Sequence, residues 1–183
     1  MKEKHYIEKL KEELTDKYEK GVDNLQRGEL KKAEEIFCEV VEETEDFAPV
    51  YNKMGVISIY REDLSQAREH LQKALKIDEE FPPALTNLGS INKKEGNNER
   101  AKELYQLAIE IDEDYGPAYN NLGVIYREEK KYRESVKYLK KAQKKGSYSV
   151  KTDVDKPFYK DGGCLIPLIL LILGGVFLYY LFT

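Results

Sequence analysis

Apolar positions along most of this chain recur every three to four residues, the spacing of one helix face rather than of a strand. Ile7, Leu10, Leu14, Tyr18 and Leu25 begin the series. They predict a first helix that starts near Lys4. The pattern then repeats with a fixed step. Gly21, Gly55, Gly89 and Gly123 are separated by 55 − 21, 89 − 55 and 123 − 89, each 34 residues. Ala33, Ala67 and Ala101 align, with Ser135 in the fourth copy. Phe37, Leu71, Tyr105 and Leu139 align, as do Val40, Ala74, Ala108 and Ala142. Pro49, Pro83 and Pro117 each open a copy, where a missing N–H costs a helix little. Leu30, Leu64 and Tyr132 align, with Asn98 breaking that row.

The small residues mark places where two helices approach closely, and the large ones fill the space between copies. A single helix pair cannot bury its own apolar face, so stacking of neighbours is required. The reading is all-α. It comprises an N-terminal extension of the first helix (1–13), four repeats (14–47, 48–81, 82–115, 116–149) and further segments after them. The turns inside the copies are expected at the RGELKK, REDLSQ, KEGNNE and EEKKYR stretches. In the first copy Lys17 and Lys20 replace residues that are apolar later, Tyr51 and Met54 or Leu85 and Leu88. An outer face without a neighbour must be soluble, so this reads as a cap. The last helix, Tyr132 to Lys145, is rich in lysine and is followed by no dedicated polar capping helix.

Helical periodicity stops at Gly146. Residues 150–163 read as a linker, and a flexible linker of about 15 residues spans roughly 20–23 Å. From Cys164 to Phe182 the sequence is CLIPLILLILGGVFLYYLF, without a charge. Nineteen helical residues at about 1.5 Å each reach roughly 28 Å, close to the thickness of a bilayer core. Tyr179 and Tyr180 sit near one end, where aromatic side chains favour the interface. We therefore expect a transmembrane helix over 164–182, inserted after synthesis in the manner of a tail anchor. Lys151, Lys156 and Lys160 precede it, which places the repeats in the cytoplasm. A prokaryotic cytoplasmic membrane is the favoured location.

Composition narrows the function. Of 183 residues 35% are charged and the formal net charge is −4. The signs are interleaved, as on long solvated helices, whereas a nucleic-acid binder shows a net basic domain. Cys38 and Cys164 lie far apart and define no disulfide framework. Cys38 is expected to pack as a small residue beside Phe37 and Val40. His5 and His70 are on different helices and read as surface residues. Glu34, Glu35, Glu42 and Glu43 read as solvated faces with pairs such as Glu69 to Lys73. No nucleophile, metal-ligand or phosphate-loop pattern is present. We expect no enzyme activity, no cofactor, no metal, no nucleic-acid partner and no small-molecule substrate.

The 34-residue period resembles the tetratricopeptide-repeat family, over roughly residues 14–149. Leu88-Gly89, Ala101, Tyr105 and Ala108 carry the resemblance in the third copy. Tyr119, Leu122-Gly123, Tyr126 and Ala142 carry it in the fourth. The family implies antiparallel helix pairs stacked into a right-handed superhelix, with the first helix of each pair lining a concave groove that binds peptides or other proteins. Carried over by position, the groove would offer Asn52, Val56, Asn87, Ser90, Lys93, Asn120, Asn121, Val124 and Arg127. Asparagines there could hold a peptide backbone by donating and accepting. Lys93 and Arg127 would favour a carboxylate. Equally, the asparagines could satisfy helix ends and contacts between copies. The two-carboxylate clamp that some members use on chaperone C-termini does not map onto these residues. The expected function is a membrane-tethered scaffold or adaptor for a protein or peptide partner, with lipid contact through the C-terminal helix. The alternative is a fixed structural subunit of a membrane-associated complex.

Overall fold

The computed structural model describes residues 12–146. Among them are eight helices and no strand: α1 (Glu12–Gln26), α2 (Leu30–Glu43), α3 (Ala48–Tyr60), α4 (Leu64–Ile77), α5 (Pro82–Lys94), α6 (Asn98–Ile111), α7 (Gly116–Glu128) and α8 (Tyr132–Lys144). The start expected near Lys4, the linker 150–163 and the segment 164–182 lie outside the described residues. Within them, no helix is long and apolar enough to cross a membrane.

Helix boundaries follow local chemistry. Pro stands in the first turn of α3, α5 and α7. The side chain of Asp63 caps α4 by accepting from the Gln66 N–H at 2.9 Å. Each first helix ends in the same cap. Gly28, Glu62, Gly96 and Lys130 have φ of 78°, 63°, 85° and 62°. The next residue in each case donates five residues back, as from Glu29 to Asn24 and from Asp63 to Ser58. Two of the four left-handed positions are therefore held by residues with a Cβ, Glu62 and Lys130.

Consecutive helices pack as pairs, α1 on α2, α3 on α4, α5 on α6 and α7 on α8. The second helix of each pair then meets the first helix of the next, and first helices also touch one another. Each recurring glycine faces the residue sixteen positions later. A Cβ built on Gly21, Gly55, Gly89 or Gly123 would meet Phe37, Leu71, Tyr105 or Leu139 at 2.5, 2.8, 2.5 and 2.7 Å. Phe37, Leu71, Ala33, Ala67, Ala101 and Ala108 are fully buried along this seam. Burying one Phe or Leu contributes about 1.5–3 kcal/mol.

Two further columns recur along the array, one joining successive layers and one inside each pair. Arg61 donates both guanidinium nitrogens to Glu34 at 2.7 and 2.6 Å. Arg68 pairs with Glu95 at 2.8 Å and Lys102 with Glu129 at 2.9 Å. Glu34, Arg68 and Lys102 are one repeat position, so the polarity reverses after the first pair. The fourth member of the row is the exposed Val136. Within pairs, one position is filled by Lys17 with Glu39 at 3.4 Å, by Lys73 over the Tyr51 ring at 4.3 Å and by Lys141 over Tyr119 at 5.4 Å. The third copy puts Leu85 and Leu107 there.

The structure corrects three expectations. Cys38 is exposed rather than packed, because it lies one step round the helix from the Phe37–Val40 seam. Its thiol is pushed up by partial burial and by Glu34 and Glu42, which disfavours the reactive thiolate. Lys73 turns to Tyr51 instead of Glu69. Glu34 is no free surface carboxylate, and its Arg61 partner holds it below the usual carboxylate range. On the N-terminal side, Asp16, Lys20 and Asp23 are exposed where later copies have buried or part-buried apolar residues.

Candidate functional site

The candidate groove residues lie on the first helices α3, α5 and α7. Their local geometry is set by the glycine seam. Gly89 lets α6 approach α5 closely, and this carries the Tyr105 ring under α5 so that its hydroxyl emerges beside Ser90. Ser90 Oγ and Tyr105 Oη are 3.2 Å apart. Ser90 donates to the Thr86 carbonyl at 3.0 Å. Asn121 Nδ2 on α7 reaches Ser90 Oγ at 3.4 Å. Burial pushes the Tyr105 phenol up, so it stays protonated and able to donate.

These groups border a pocket of about 340 Å³ lined by Ser90, Lys93, Lys94, Tyr105, Asn121 and Val124. Four of the nine sequence candidates thus meet at one place. Val124 supplies an apolar wall, Tyr105 and Asn121 supply polar contacts, and two ammonium groups stand at the edge. Neither ammonium is free: Lys93 pairs with Glu128 at 2.8 Å and Lys94 with Glu62 at 3.3 Å. An incoming carboxylate would have to compete with those glutamates.

The remaining candidates behave differently. Asn52 is 3% exposed and accepts from Asn87 Nδ2 at 2.8 Å, a bond joining α3 to α5. That pair does the inter-copy work that was the alternative reading of the asparagines. Val56 and Asn120 are half-buried on α3 and α7, and Arg127 is exposed at the end of α7. None of these three lines the pocket. Sequence reasoning missed Lys94, read as part of a turn, and Tyr105, read as core filler. A signal for Tyr105 did exist. Its row otherwise holds Phe and Leu, and a buried Tyr needs a hydroxyl partner.

Among the described residues no group of His, Cys, Asp and Glu is arranged to hold a metal ion. His70 is half-buried and its desolvation lowers its proton affinity.

Comparisons agree with the repeat fold. Two family models described as tetratricopeptide repeat match residues 59–123 and 116–144. Among solved structures, MamA is 25% identical, over 73% of this chain and 78% of that chain, with a TM-score of 0.57. The pilF protein of Pseudomonas aeruginosa is 20% identical, over 79% of this chain and 63% of that one, with a TM-score of 0.63. YrrB, described as a TPR protein with an unusual peptide-binding site, is 21% identical, over 72% and 68%, with a TM-score of 0.53. The last two bear on the fold alone. No curated protein matches the sequence.

Proposed function

Family matches and structural neighbours support a tetratricopeptide-repeat array, and from that premise we propose that the chain is a membrane-tethered adaptor that takes a protein segment into the groove of its first helices. The pocket between α5 and α7 carries the reading. It combines an apolar wall at Val124, a polar Ser90–Tyr105–Asn121 cluster and the paired Lys93 and Lys94 at its edge. A segment that suits it has a short apolar side chain next to an acidic one. The peptide-binding description of YrrB supports this use of the fold. The tether is the uncharged segment 164–182, with the repeats on the cytoplasmic side.

A photo-crosslinking residue at Val124 in the full chain tests the groove. The expected result is one defined protein adduct, absent when the crosslinker is moved to Glu103, and reduced about tenfold by Asn121→Ala, the equivalent of about 1.4 kcal/mol. No adduct at Val124, or equal adducts at both sites, removes the assignment. Alkaline carbonate extraction tests the tether, since an integral span stays with the membrane. Release into the supernatant would remove that part of the reading.

A fixed subunit of a membrane complex is the second reading. Tyr60 and Leu107 favour it, being large apolar side chains left exposed. Under that reading residues 1–146 alone aggregate or are degraded, whereas an adaptor stays folded.

A further inference from the structure

We propose that the solvent face of α8 is a docking surface for anionic lipid headgroups. The same structural positions in the four copies differ sharply in charge. The face opposite the buried Ser135 and Ala142 carries Arg133, Lys137, Lys140 and Lys144. The equivalents of Lys137 are Glu35, Glu69 and Glu103, and those of Lys144 are Glu42, Lys76 and Glu110. Arg133 replaces Lys31, Ser65 and Glu99, and Lys140 replaces Cys38, Gln72 and Gln106. All sixteen positions are exposed. Summed over the four rows, the first copy carries +1 − 2 = −1, the second +1 − 1 = 0, the third −3 and the fourth +4.

Packing does not explain the change, because these side chains face solvent in every copy. Pairing does not explain it either. Among the described residues none of the four is ion-paired, whereas Lys17, Lys93, Lys94, Lys102, Lys131 and Lys145 all are. Four unpaired like charges on one face repel one another, and an anionic surface removes that repulsion.

A second feature favours lipid over an acidic protein. Tyr132 and Val136, one turn apart beside the basic face, are 63% and 49% exposed. A basic face bordered by an aromatic and an apolar side chain is the pattern of a helix lying in a membrane interface. Val136 also stands where Glu34, Arg68 and Lys102 make their ion pairs, so the fourth copy gives up a charge there while gaining four around it. In sequence, seventeen residues (147–163) separate Gly146 from the uncharged segment at Cys164. The proposal draws on the tether reading only for the nearness of a bilayer.

The chain has no Trp, so Val136→Trp provides a single reporter. The full-length reporter chain is mixed with vesicles of phosphatidylcholine alone, or of equal parts phosphatidylcholine and phosphatidylserine. Sedimentation with both compositions reports the tether, and the indole emission reports α8. With anionic vesicles, we expect blue-shifted indole emission that brominated lipid quenches. With neutral vesicles we expect neither. Four basic groups at about 1 kcal/mol each amount to roughly a thousand-fold preference at low salt. Raised salt should erode that preference. Reversing all four charges (Arg133→Glu, Lys137→Glu, Lys140→Glu, Lys144→Glu) should abolish the response with helical circular dichroism unchanged. A milder set of Gln replacements covers the case in which the reversal does not fold. Equal emission in both vesicle types, or a response that survives the exchange, overturns the proposal. So does binding of polyglutamate without a vesicle response, which assigns the face to an acidic protein. Sedimentation with both vesicle types but a silent indole reporter sinks this proposal and leaves the tether. Sedimentation with anionic vesicles alone does the reverse.

Discussion

Gly89 leaves no room for a methyl group, since a Cβ there would stand 2.5 Å from the Tyr105 ring. The ring cannot retreat, because its hydroxyl is held beside Ser90 and its body is buried. Gly89→Ala should therefore cost about 1–3 kcal/mol, the usual range for overpacking. A thermal melt of residues 1–146 reads it, and an unchanged midpoint would show that the seam is softer than drawn. His70 provides a test in pH. Burial lowers its pKa from the ordinary 6.5 despite Glu69 and Glu34 nearby. Well above pH 6.5 neither the folded nor the unfolded state binds the proton. As pH falls through that value the unfolded state takes it first, so stability declines. Leu104 occupies the same position in the third copy, which makes His70→Leu a fair replacement. It should flatten the loss of stability between about pH 7 and 5.5, measured by urea unfolding. The lowered Glu34 contributes stability that is lost only around and below its ordinary value of 4.5, so the two windows separate.

Between elements, the ion-pair column is legible only once layers are stacked. Glu34 and Arg61 are 27 residues apart, on α2 and just after α3, and meet in a two-pronged contact. Both are about one-third exposed, so solvent screening leaves such a pair about 0.2–1 kcal/mol. Arg61→Glu should lose that and add repulsion with Glu34. The double exchange Glu34→Arg with Arg61→Glu reproduces the order already used by Arg68 and Glu95, and should restore most of the loss. A double-mutant cycle with no coupling would mean that the column adds nothing to stability. Helix ends behave likewise. The 34-residue step predicted where first helices stop, but that Glu62 and Lys130 take the left-handed cap position was not visible, because neither residue advertises positive φ as Gly28 and Gly96 do.

At the scale of the whole array, the main contacts among the described helices join neighbours. Each pair meets the next through its first helix. Stability in such an array is a sum of copies and interfaces. A chain ending after Tyr115 should keep the helicity of its first three copies while losing one interface. Its urea midpoint and its m-value should both fall, the latter in proportion to the surface no longer buried. Collapse of all helical signal would contradict nearest-neighbour coupling.

The sequence by itself determined the helices, their pairing and the close glycine contacts, because a fixed step of small and large residues admits one way of stacking. The family resemblance, carried over by position, also marked Ser90, Lys93, Asn121 and Val124, which border one pocket. What it did not determine was the state of those side chains. Whether Lys93 is free or held by Glu128, whether Asn52 faces a guest or Asn87, and whether Tyr105 is filler or pocket wall all depend on residues 15 to 35 positions away. Periodicity says which face a side chain is on. Only the stacking of one layer on the next decides which partner waits there, and so which polar groups remain for a ligand.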